Sequence, residues 1–192
     1  MSVLVDLLGV TNEEPRPTGR IYGGDIVNQE EMVTLWEQHT AYEFVIKDAD
    51  LAVSTMVEDA SVMHLPTMSG GFGKDHLRDY YRDVFIPAIP QNTTMETADR
   101  SVGSDFIVEE IIMRMSHDQE IPFLLPGLAA TGRSIELPLV VVVKFRDDLM
   151  ESERIYWDQA ALLAQVGLIA AEDLPMANVT EAPRFLRDKA VS

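Results

Sequence analysis

The sequence predicts an α+β fold in which three helices from the first half of the chain pack against a curved antiparallel sheet built by the second half. Three observations support this prediction. Apolar residues recur at three- and four-residue steps up to about position 88, the pattern alternates at every second residue over 93–157, and turn residues separate the alternating stretches. Helices packed inside a strongly curved sheet form a cone, and the interior of such a cone is an apolar pocket.

The helical half begins at Asn28, where two glutamates follow a side chain that can cap a helix. Helical spacing predicts a first helix over 28–47, a second over 48–56 and a third over 74–88, which Pro87 and Pro90 close. Residues 67–73 are rich in glycine and are predicted to be a loop.

The strand half begins with a short strand over 60–66 that breaks at Pro66. Four further strands are predicted near 93–103, 106–117, 133–145 and 151–157, with a long loop over 118–132. The third of these four is nearly all apolar, so we expect it to lie centrally with both faces covered.

Composition limits the class of protein. A length of 192 residues favours one domain with a sizeable core, and a net charge of -17 argues against nucleic acid or an anionic membrane as a partner. The absence of cysteine excludes disulfides, thiolate zinc sites and a cysteine nucleophile. The apolar N-terminal run includes Asp6 and is too short to span a bilayer, so we expect a cytoplasmic protein.

The chain divides into three parts. Residues 1–28 carry several prolines and glycines and are predicted to be an irregular arm, residues 29–169 are predicted to form the folded domain, and residues 170–192 are predicted to be a tail with one terminal turn.

Asp158 is the first catalytic candidate, because it follows the last strand beside two aromatic rings and a run of Ala and Leu. Period two would place Arg154, Tyr156 and Asp158 on one face of this strand and Glu153, Ile155 and Trp157 on the other. A carboxylate in apolar surroundings loses hydration, which raises its pKa and suits it to proton transfer. The alternative is a solvated aspartate that caps the helical turn after it.

Two histidines are further catalytic candidates. His64 lies near the end of the short strand, where the mouth of the cone is expected, and His117 follows Ile111, Met113 and Met115 on one strand face. Methionine sulfur suits a pocket for a flat hydrophobic ligand. The alternative for each histidine is a structural imidazole.

His39 and Glu43 lie one helical turn apart. They would form either a histidine oriented by a carboxylate or a pair on the helix surface that contributes only about 0.3 to 0.5 kcal/mol. Trp36 and Tyr42 would place His39 at the floor of the pocket.

The sequence contains no motif for metal binding, nucleophilic catalysis or phosphate binding. The histidine spacing matches no metal-binding motif, residues 68–71 do not form a nucleophile elbow, and the glycines at 70–73 lack the remainder of a phosphate loop. The sequence therefore predicts no metal and no cofactor.

A set of residues in the closing part of the chain resembles a known family. In order, these are Gly127, Thr131, Gly132, Arg133, Asp158, Leu162, Leu163, Gln165 and Gly167. They are similar to the closing half of the SnoaL-like polyketide cyclases of ester cyclase type, which belong to the NTF2-like superfamily, and the resemblance covers roughly residues 29–169. It implies an NTF2-like cone.

The same resemblance implies a chemistry. In the family, an aspartate at the position of Asp158 acts as general acid and base in an aldol closure without metal or cofactor, and a histidine on a neighbouring strand assists. His117 is the residue that matches that histidine. The interval from His117 to Gly132 is longer than in the family, so the loop either places His117 differently or forms a lid.

We therefore expect a cofactor-free enzyme that cyclises, isomerises or eliminates from a small hydrophobic carbonyl compound, with Asp158 taking the proton and His117 or His64 holding the enolate oxygen. The substrate-binding candidates are His39, Trp36, Tyr42, Tyr156, Met113 and Met115. One alternative is an epoxide or lactone hydrolase that activates water through Asp158 with Arg114 or Arg154. Another is a non-catalytic module that binds hydrophobic ligands. A homodimer is expected in each case, because valines 140–143 supply apolar surface.

Overall fold

The computed structural model describes residues 28–190, so nearly all of the predicted N-terminal arm lies outside the described residues. The helices are α1 (Gln29–Ala41), α2 (Ala49–Ser54), α3 (Lys74–Tyr80), α4 (Gln159–Gln165) and α5 (Glu181–Ala190). The strands are β1 (Met56–His64), β2 (Ser69–Phe72), β3 (Thr94–Val102), β4 (Phe106–Ser116), β5 (Ser134–Arg146) and β6 (Leu149–Trp157). The predicted α+β architecture is confirmed. In the described part of the chain, no helix combines the length and the apolar character needed to cross a bilayer.

The strands form one curved, unclosed sheet in the order β2-β1-β6-β5-β4-β3. Strands β3 to β6 pair antiparallel as neighbours in sequence, but β1 pairs parallel with β6, so the prediction of a wholly antiparallel sheet was wrong at this pair. Strand β1 ends at His64 and β6 begins at Leu149, so no hairpin joins the two strands and fixes their relative direction.

Strand β2 lies in the segment that was predicted to be a glycine-rich loop. It pairs antiparallel with β1 and forms one edge of the sheet. A Cβ at Gly70 would come within 2.1 Å of the Val62 carbonyl oxygen, so this close approach of two backbones requires glycine. The same glycines that suggested a loop therefore permit a strand.

The core lies between the concave face of the sheet and helices α1 to α3. Alternate residues of β5 are buried against it, while the intervening residues are only partly covered. The expectation that both faces of this strand are fully covered was therefore wrong, because the outer face has no complete layer of helices over it.

Helices α1 and α3 each end in a π-helical turn. Tyr42–Ile46 extends α1 and Tyr81–Phe85 extends α3. Turns of this kind widen a helix locally and are frequent at functional sites. The first carries Glu43 and the second carries Tyr81 into the interior, where both side chains are buried.

Helix α5 packs against β3 and β5 on the outer side of the sheet. Arg187 of this helix pairs with Glu96 on β3 and Glu136 on β5, and Arg114 of β4 pairs with the same two carboxylates. Ile112 lies on β4 between these strands and is fully buried. The predicted tail therefore contains a longer helix than the single turn expected.

Candidate active site

A cavity of about 40 Å³ lies between the helices and the concave face of the sheet. Its lining is mostly apolar and aromatic, and it comprises Trp36, Thr40, Glu43, Phe44, His64, Phe85, Met95, Ile111, Met113, Phe123, Leu124, Leu139, Val141, Glu153 and Ile155. Pockets that hold drug-sized ligands measure about 300 to 1,000 Å³, whereas one water needs only about 10 to 15 Å³. In this form the cavity therefore has room for a few waters or a very small group.

His39 organises the ionisable groups at the floor of the cavity. Its imidazole is 0% exposed, and its Nε2 lies 3.1 Å from Glu43 Oε1 and 3.8 Å from Glu153 Oε2. The Tyr81 hydroxyl lies 3.2 Å from the same nitrogen. Four elements thus meet at one ring nitrogen: α1, the two π-helical turns and β6.

The other nitrogen of His39 is held by the end of α2. Nδ1 lies 2.7 Å from Thr55 Oγ1 and 3.2 Å from the Ala52 carbonyl oxygen. The Ala52 oxygen can only accept, and the Thr55 hydroxyl already donates to it at 2.7 Å. Nδ1 therefore carries a hydrogen, and Nε2 is the nitrogen that faces the two carboxylates.

The two carboxylates make His39 a cation. Burial by itself would lower the pKa of His39, but Glu43 and Glu153 outweigh burial and raise this pKa to about 10. Burial raises the pKa of Glu153 and the charge of Glu43 adds to the effect, while His39 opposes it. Among the described residues, no group donates a hydrogen bond to Glu153 Oε2.

A second buried acid, Glu109, differs from Glu153 in its hydrogen-bond partners. Glu109 on β4 accepts hydrogen bonds from Trp36 Nε1 at 2.5 Å, Thr97 Oγ1 at 2.5 Å and the Arg100 guanidinium at 2.9 Å. Buried carboxylates are stable when their lone pairs are occupied in this way. Glu109 is therefore a structural acid, whereas Glu153 has a free oxygen.

His64 lines the cavity inside a group of aromatic rings. Its ring centroid lies 5.5 Å from that of Phe85, 5.3 Å from that of Phe123 and 6.0 Å from that of Trp157. Its Nδ1 lies 3.3 Å from both the Ser69 carbonyl oxygen and the Tyr80 hydroxyl, and a hydrogen on Nδ1 satisfies the Ser69 oxygen, which can only accept, and leaves Nε2 as an acceptor. Burial lowers the pKa of His64, and Glu153 opposes this only in part, so the ring is neutral at pH 7.

Asp158 does not have the sheltered surroundings predicted for it. Its side chain is exposed, accepts a hydrogen bond from the Ala161 backbone N–H at 3.0 Å and caps α4. It does not line the cavity. Strand β6 ends at Trp157, so Asp158 turns away into the helix start, and the buried acid of this strand is Glu153 on the opposite face.

His117 is fully buried but does not line the cavity. Its Nδ1 lies 3.0 Å from Thr131 Oγ1, and its backbone exchanges two hydrogen bonds of 2.8 Å with Gly132 and Arg133. Burial lowers its pKa. His117 thus holds the two ends of the loop over 118–133 together, and its side chain does not face the cavity.

This loop closes one side of the cavity with Phe123 and Leu124. Thr67 Oγ1 donates to the Phe123 carbonyl oxygen at 2.7 Å, and Gln159 Nε2 donates to the Leu124 carbonyl oxygen at 3.2 Å. The loop therefore covers the cavity as a lid would, held by two side-chain hydrogen bonds.

The remaining predicted residues separate into two groups. Trp36 and Met113 line the cavity, and His39 lies behind it. Met115 borders an open groove near the C-terminal segment, Tyr42 is half-buried and accepts a hydrogen bond from Gln38, and Tyr156 is 42% exposed on the outer face of β6.

Glu43 and Glu153 were not among the predicted site residues, although the sequence contains a pattern that bears on each of them. Glu153 shares a strand face with Ile155 and Trp157, and the apolar character of those neighbours marks the inner face. For Glu43 the sequence left open either a carboxylate that orients His39 or a pair on the helix surface, and the pair is buried where the π-helical turn carries Glu43 inward. Thr55 and Tyr81 have no comparable signal in the sequence.

Comparison with known proteins supports the fold. No family model and no curated protein matches this chain. Among solved structures, a protein from Jannaschia sp. CCS1 provisionally assigned as a SnoaL-like polyketide cyclase is 15% identical, with a TM-score of 0.58 over 76% of this chain and 96% of that one. TsrD from Streptomyces laurentii is also 15% identical, with a TM-score of 0.57 over 74% of this chain and 98% of that one.

A third structure is that of SalBIII, an epoxide hydrolase/cyclase-like enzyme with a role in pyran ring formation in the polyether salinomycin. SalBIII is 17% identical to this chain, with a TM-score of 0.51 over 69% of this chain and 93% of that one. At these identities the likeness concerns the fold alone, and one fold hosts many activities. The resemblance drawn from the sequence is confirmed at that level: the chain has the NTF2-like cone fold that SnoaL-like proteins share.

Proposed function

We propose that the protein is an enzyme that moves protons on a small hydrophobic carbonyl compound by acid–base chemistry of its own side chains, with Glu153 as the proton donor and His64 as the acceptor. The observation that carries this proposal is the free oxygen of Glu153 in an otherwise apolar cavity. Structural acids in the same core, such as Glu109, have their oxygens occupied.

The division of roles follows from the surroundings of each group. A carboxylic acid whose pKa is raised by burial is suited to donate a proton to a carbonyl oxygen, while a neutral imidazole with a free nitrogen can accept a proton from the adjacent carbon. The resulting enol can be protonated at another carbon, attack a second carbonyl or expel a leaving group. Isomerisation, cyclisation and elimination therefore share this first step, which acid–base catalysis accelerates by about 10² to 10⁴.

His39 supports this chemistry without contacting the substrate. It holds Glu43 as its anionic partner and places Glu153 at the cavity wall. Because His39 is itself fixed by Thr55 and Ala52, the geometry of the acid is set before a substrate binds. His39 is thus a positioning residue.

The size of the cavity restricts the substrate. About 40 Å³ excludes a multi-ring compound unless the lining moves. Thr40, Phe44 and Met95 are the lining residues that also reach the surface, and Met95 is 38% exposed, so we place the entrance between α1 and β3. A substrate that enters there would displace these side chains or the loop over 118–133.

Solvent-deuterium exchange tests the proposal. The protein is incubated in D₂O with a panel of small hydrophobic ketones, enones and β-keto esters, and deuterium uptake next to the carbonyl is followed by NMR. Glu153→Gln should slow exchange by at least about 100-fold, the scale of acid–base catalysis, while Asp158→Asn should leave it unchanged. Exchange at the wild-type rate in Glu153→Gln would overturn the assignment.

Hydrolysis of an epoxide or lactone is the second candidate, and the water-sized cavity beside two carboxylates favours it. The arginines first considered for this role do not line the cavity, and Arg114 is paired with Glu96 and Glu136. Incorporation of ¹⁸O from labelled water into the product would identify hydrolysis.

A non-catalytic module that binds hydrophobic ligands is a third candidate. Ligand binding without exchange or hydrolysis in any member of the panel would favour it. We also propose that the chain forms a homodimer through its partly covered outer sheet face, where Val140 and Val142 lie. Sedimentation that shows only monomer at micromolar concentration would contradict the dimer.

A further inference from the structure

We propose that His39, Glu43 and Glu153 form a binding site for a divalent first-row transition ion such as Zn²⁺. One side-chain atom from each residue lies within 4.8 Å of the other two, and all three side chains are buried. The residues come from α1, from the π-helical turn after it and from β6. This inference goes beyond the proposed function, because it concerns binding and not turnover.

The distances suit an ion at the centre of the three atoms. Zn²⁺ binds histidine nitrogen and carboxylate oxygen at about 2.0 to 2.2 Å, so neighbouring ligand atoms lie roughly 3 to 3.5 Å apart. The separations from His39 Nε2 are 3.1 Å to Glu43 and 3.8 Å to Glu153. The Glu153 oxygen would move a few tenths of an ångström toward His39, and the two carboxylate oxygens, which lie within 4.8 Å of each other, would close around the ion.

An independent observation points to a ligand at this place. Glu153 is only 6% exposed, yet its Oε2, the oxygen nearest His39, has no hydrogen-bond partner among residues 28–190. A buried carboxylate oxygen without a donor is costly, and a cation is one group that would satisfy it. Glu109 has three donors and no such vacancy.

The surroundings of His39 match those of a metal ligand. Metal-binding histidines almost always donate their second ring N–H to an oxygen, which fixes the ring and its tautomer. Here Nδ1 faces Thr55 Oγ1 at 2.7 Å and the Ala52 carbonyl oxygen at 3.2 Å, so Nε2 is directed at the two carboxylates.

Charge and donor type define the class of ion. An ion that displaces the proton from His39 Nε2 meets one neutral imidazole and two carboxylates, whose two negative charges a divalent ion neutralises. Mixed nitrogen and oxygen donors suit Zn²⁺, Co²⁺ or Mn²⁺ better than Mg²⁺ or Ca²⁺, which prefer oxygen ligands alone. Glu43 and Glu153 line the cavity, so water would fill the remaining coordination positions from that side.

Cobalt provides a direct test. Full-length protein treated with chelator is titrated with Co²⁺, and visible absorption and equilibrium dialysis report coordination and stoichiometry. We expect one ion per chain and the visible d–d bands of four- or five-coordinate Co²⁺ in a mixed nitrogen and oxygen site. Addition of Zn²⁺ should abolish these bands, and addition of Mg²⁺ should not.

Variants assign the ligands. Glu153→Gln and His39→Gln should weaken Co²⁺ binding by at least about 100-fold, and Thr55→Val, which removes a partner of the ligand, by about 10- to 100-fold. His117→Gln is the matched control, because it alters another fully buried histidine away from the cluster, and it should bind as the wild type does. Circular dichroism of each variant without metal verifies that it is folded.

The outcomes separate this inference from the proposed function. Absence of a 1:1 cobalt complex in the wild type, or wild-type affinity in folded Glu153→Gln, would refute the metal site even if deuterium exchange proceeds. A cobalt complex in a protein that exchanges no deuterium would support the site and refute only the proposed chemistry. If both hold, Zn²⁺ should stop exchange and a chelator should restore it.

Discussion

Replacing His39 by glutamine is expected to lower the free energy of unfolding more than replacing any other histidine of the described chain. The change removes the cation that lies 3.1 Å from Glu43 and 3.8 Å from Glu153, so Glu43 is then buried without a counter-charge and Glu153 loses the group that opposes the rise of its pKa. Removing one partner of a buried ion pair costs about 3 to 5 kcal/mol. Since whole domains are stable by only about 5 to 15 kcal/mol, the loss should be large in relative terms.

A double-mutant cycle with Glu153 tests whether the loss of unfolding free energy comes from the interaction of His39 with the buried acids. Glutamine at position 153 removes the second acid that faces His39, so His39→Gln should cost less in the Glu153→Gln background than in the wild type. Coupling energies between contacting residues are about 0.5 to 3 kcal/mol, and we expect a value in the upper half of that range.

Urea unfolding at pH 7, followed by circular dichroism with a chelator present, measures these energies from the midpoint and slope. His117→Gln is the control. It breaks one hydrogen bond to Thr131 in an equally buried place without leaving a charge, so it should cost only about 1 kcal/mol. Equal losses for the two histidine variants, or additive losses in the cycle, would refute the interpretation of His39 as the counter-charge of two acids.

Three further predictions concern the lid, the cap and acid stability. Asp158→Ala should lower the free energy of unfolding by about 1 kcal/mol through loss of the α4 cap, and deuterium exchange should not change; a loss of exchange would return Asp158 to the catalytic site. Phe123→Ala should cost about 3 to 5 kcal/mol and enlarge the cavity, which binding of a small aromatic probe by calorimetry would detect and unchanged binding would contradict. Because burial lowers the pKa of His117, its unfolded state binds more protons, so its contribution is complete above about pH 6.5 and declines as pH falls below that value. Chemical unfolding across pH 4 to 8 should show a smaller acid loss in His117→Gln, and identical profiles would contradict this assignment.

Much of the fold could be predicted because the relevant forces are local. Strands β3 to β6 are consecutive in the chain, and their alternating pattern predicts their approximate limits and constrains their register. The parallel contact of β1 with β6 could not be predicted, because it joins segments about ninety residues apart and depends on how the helices fill the cone.

The candidate site was predicted less well, for a related reason. Period two placed Asp158 and Glu153 on opposite faces, but it does not state which face is buried. The resemblance to a family favoured Asp158, whereas the burial of Ile155 and Glu153 shows that their face of the strand is the inner one. The meeting of His39 with Glu153 is a tertiary contact, and no sequence spacing encodes it.

The position of α5 has a consequence for assembly. Because this helix and its arginine lie over β3 and β5, two copies cannot stack their whole outer sheets across a two-fold axis. An isologous contact through the outer face of the sheet would be offset toward β1 and β6, where Tyr156 is exposed. Removal of α5 would expose Ile112 and enlarge the apolar surface of the sheet, which would favour non-specific self-association.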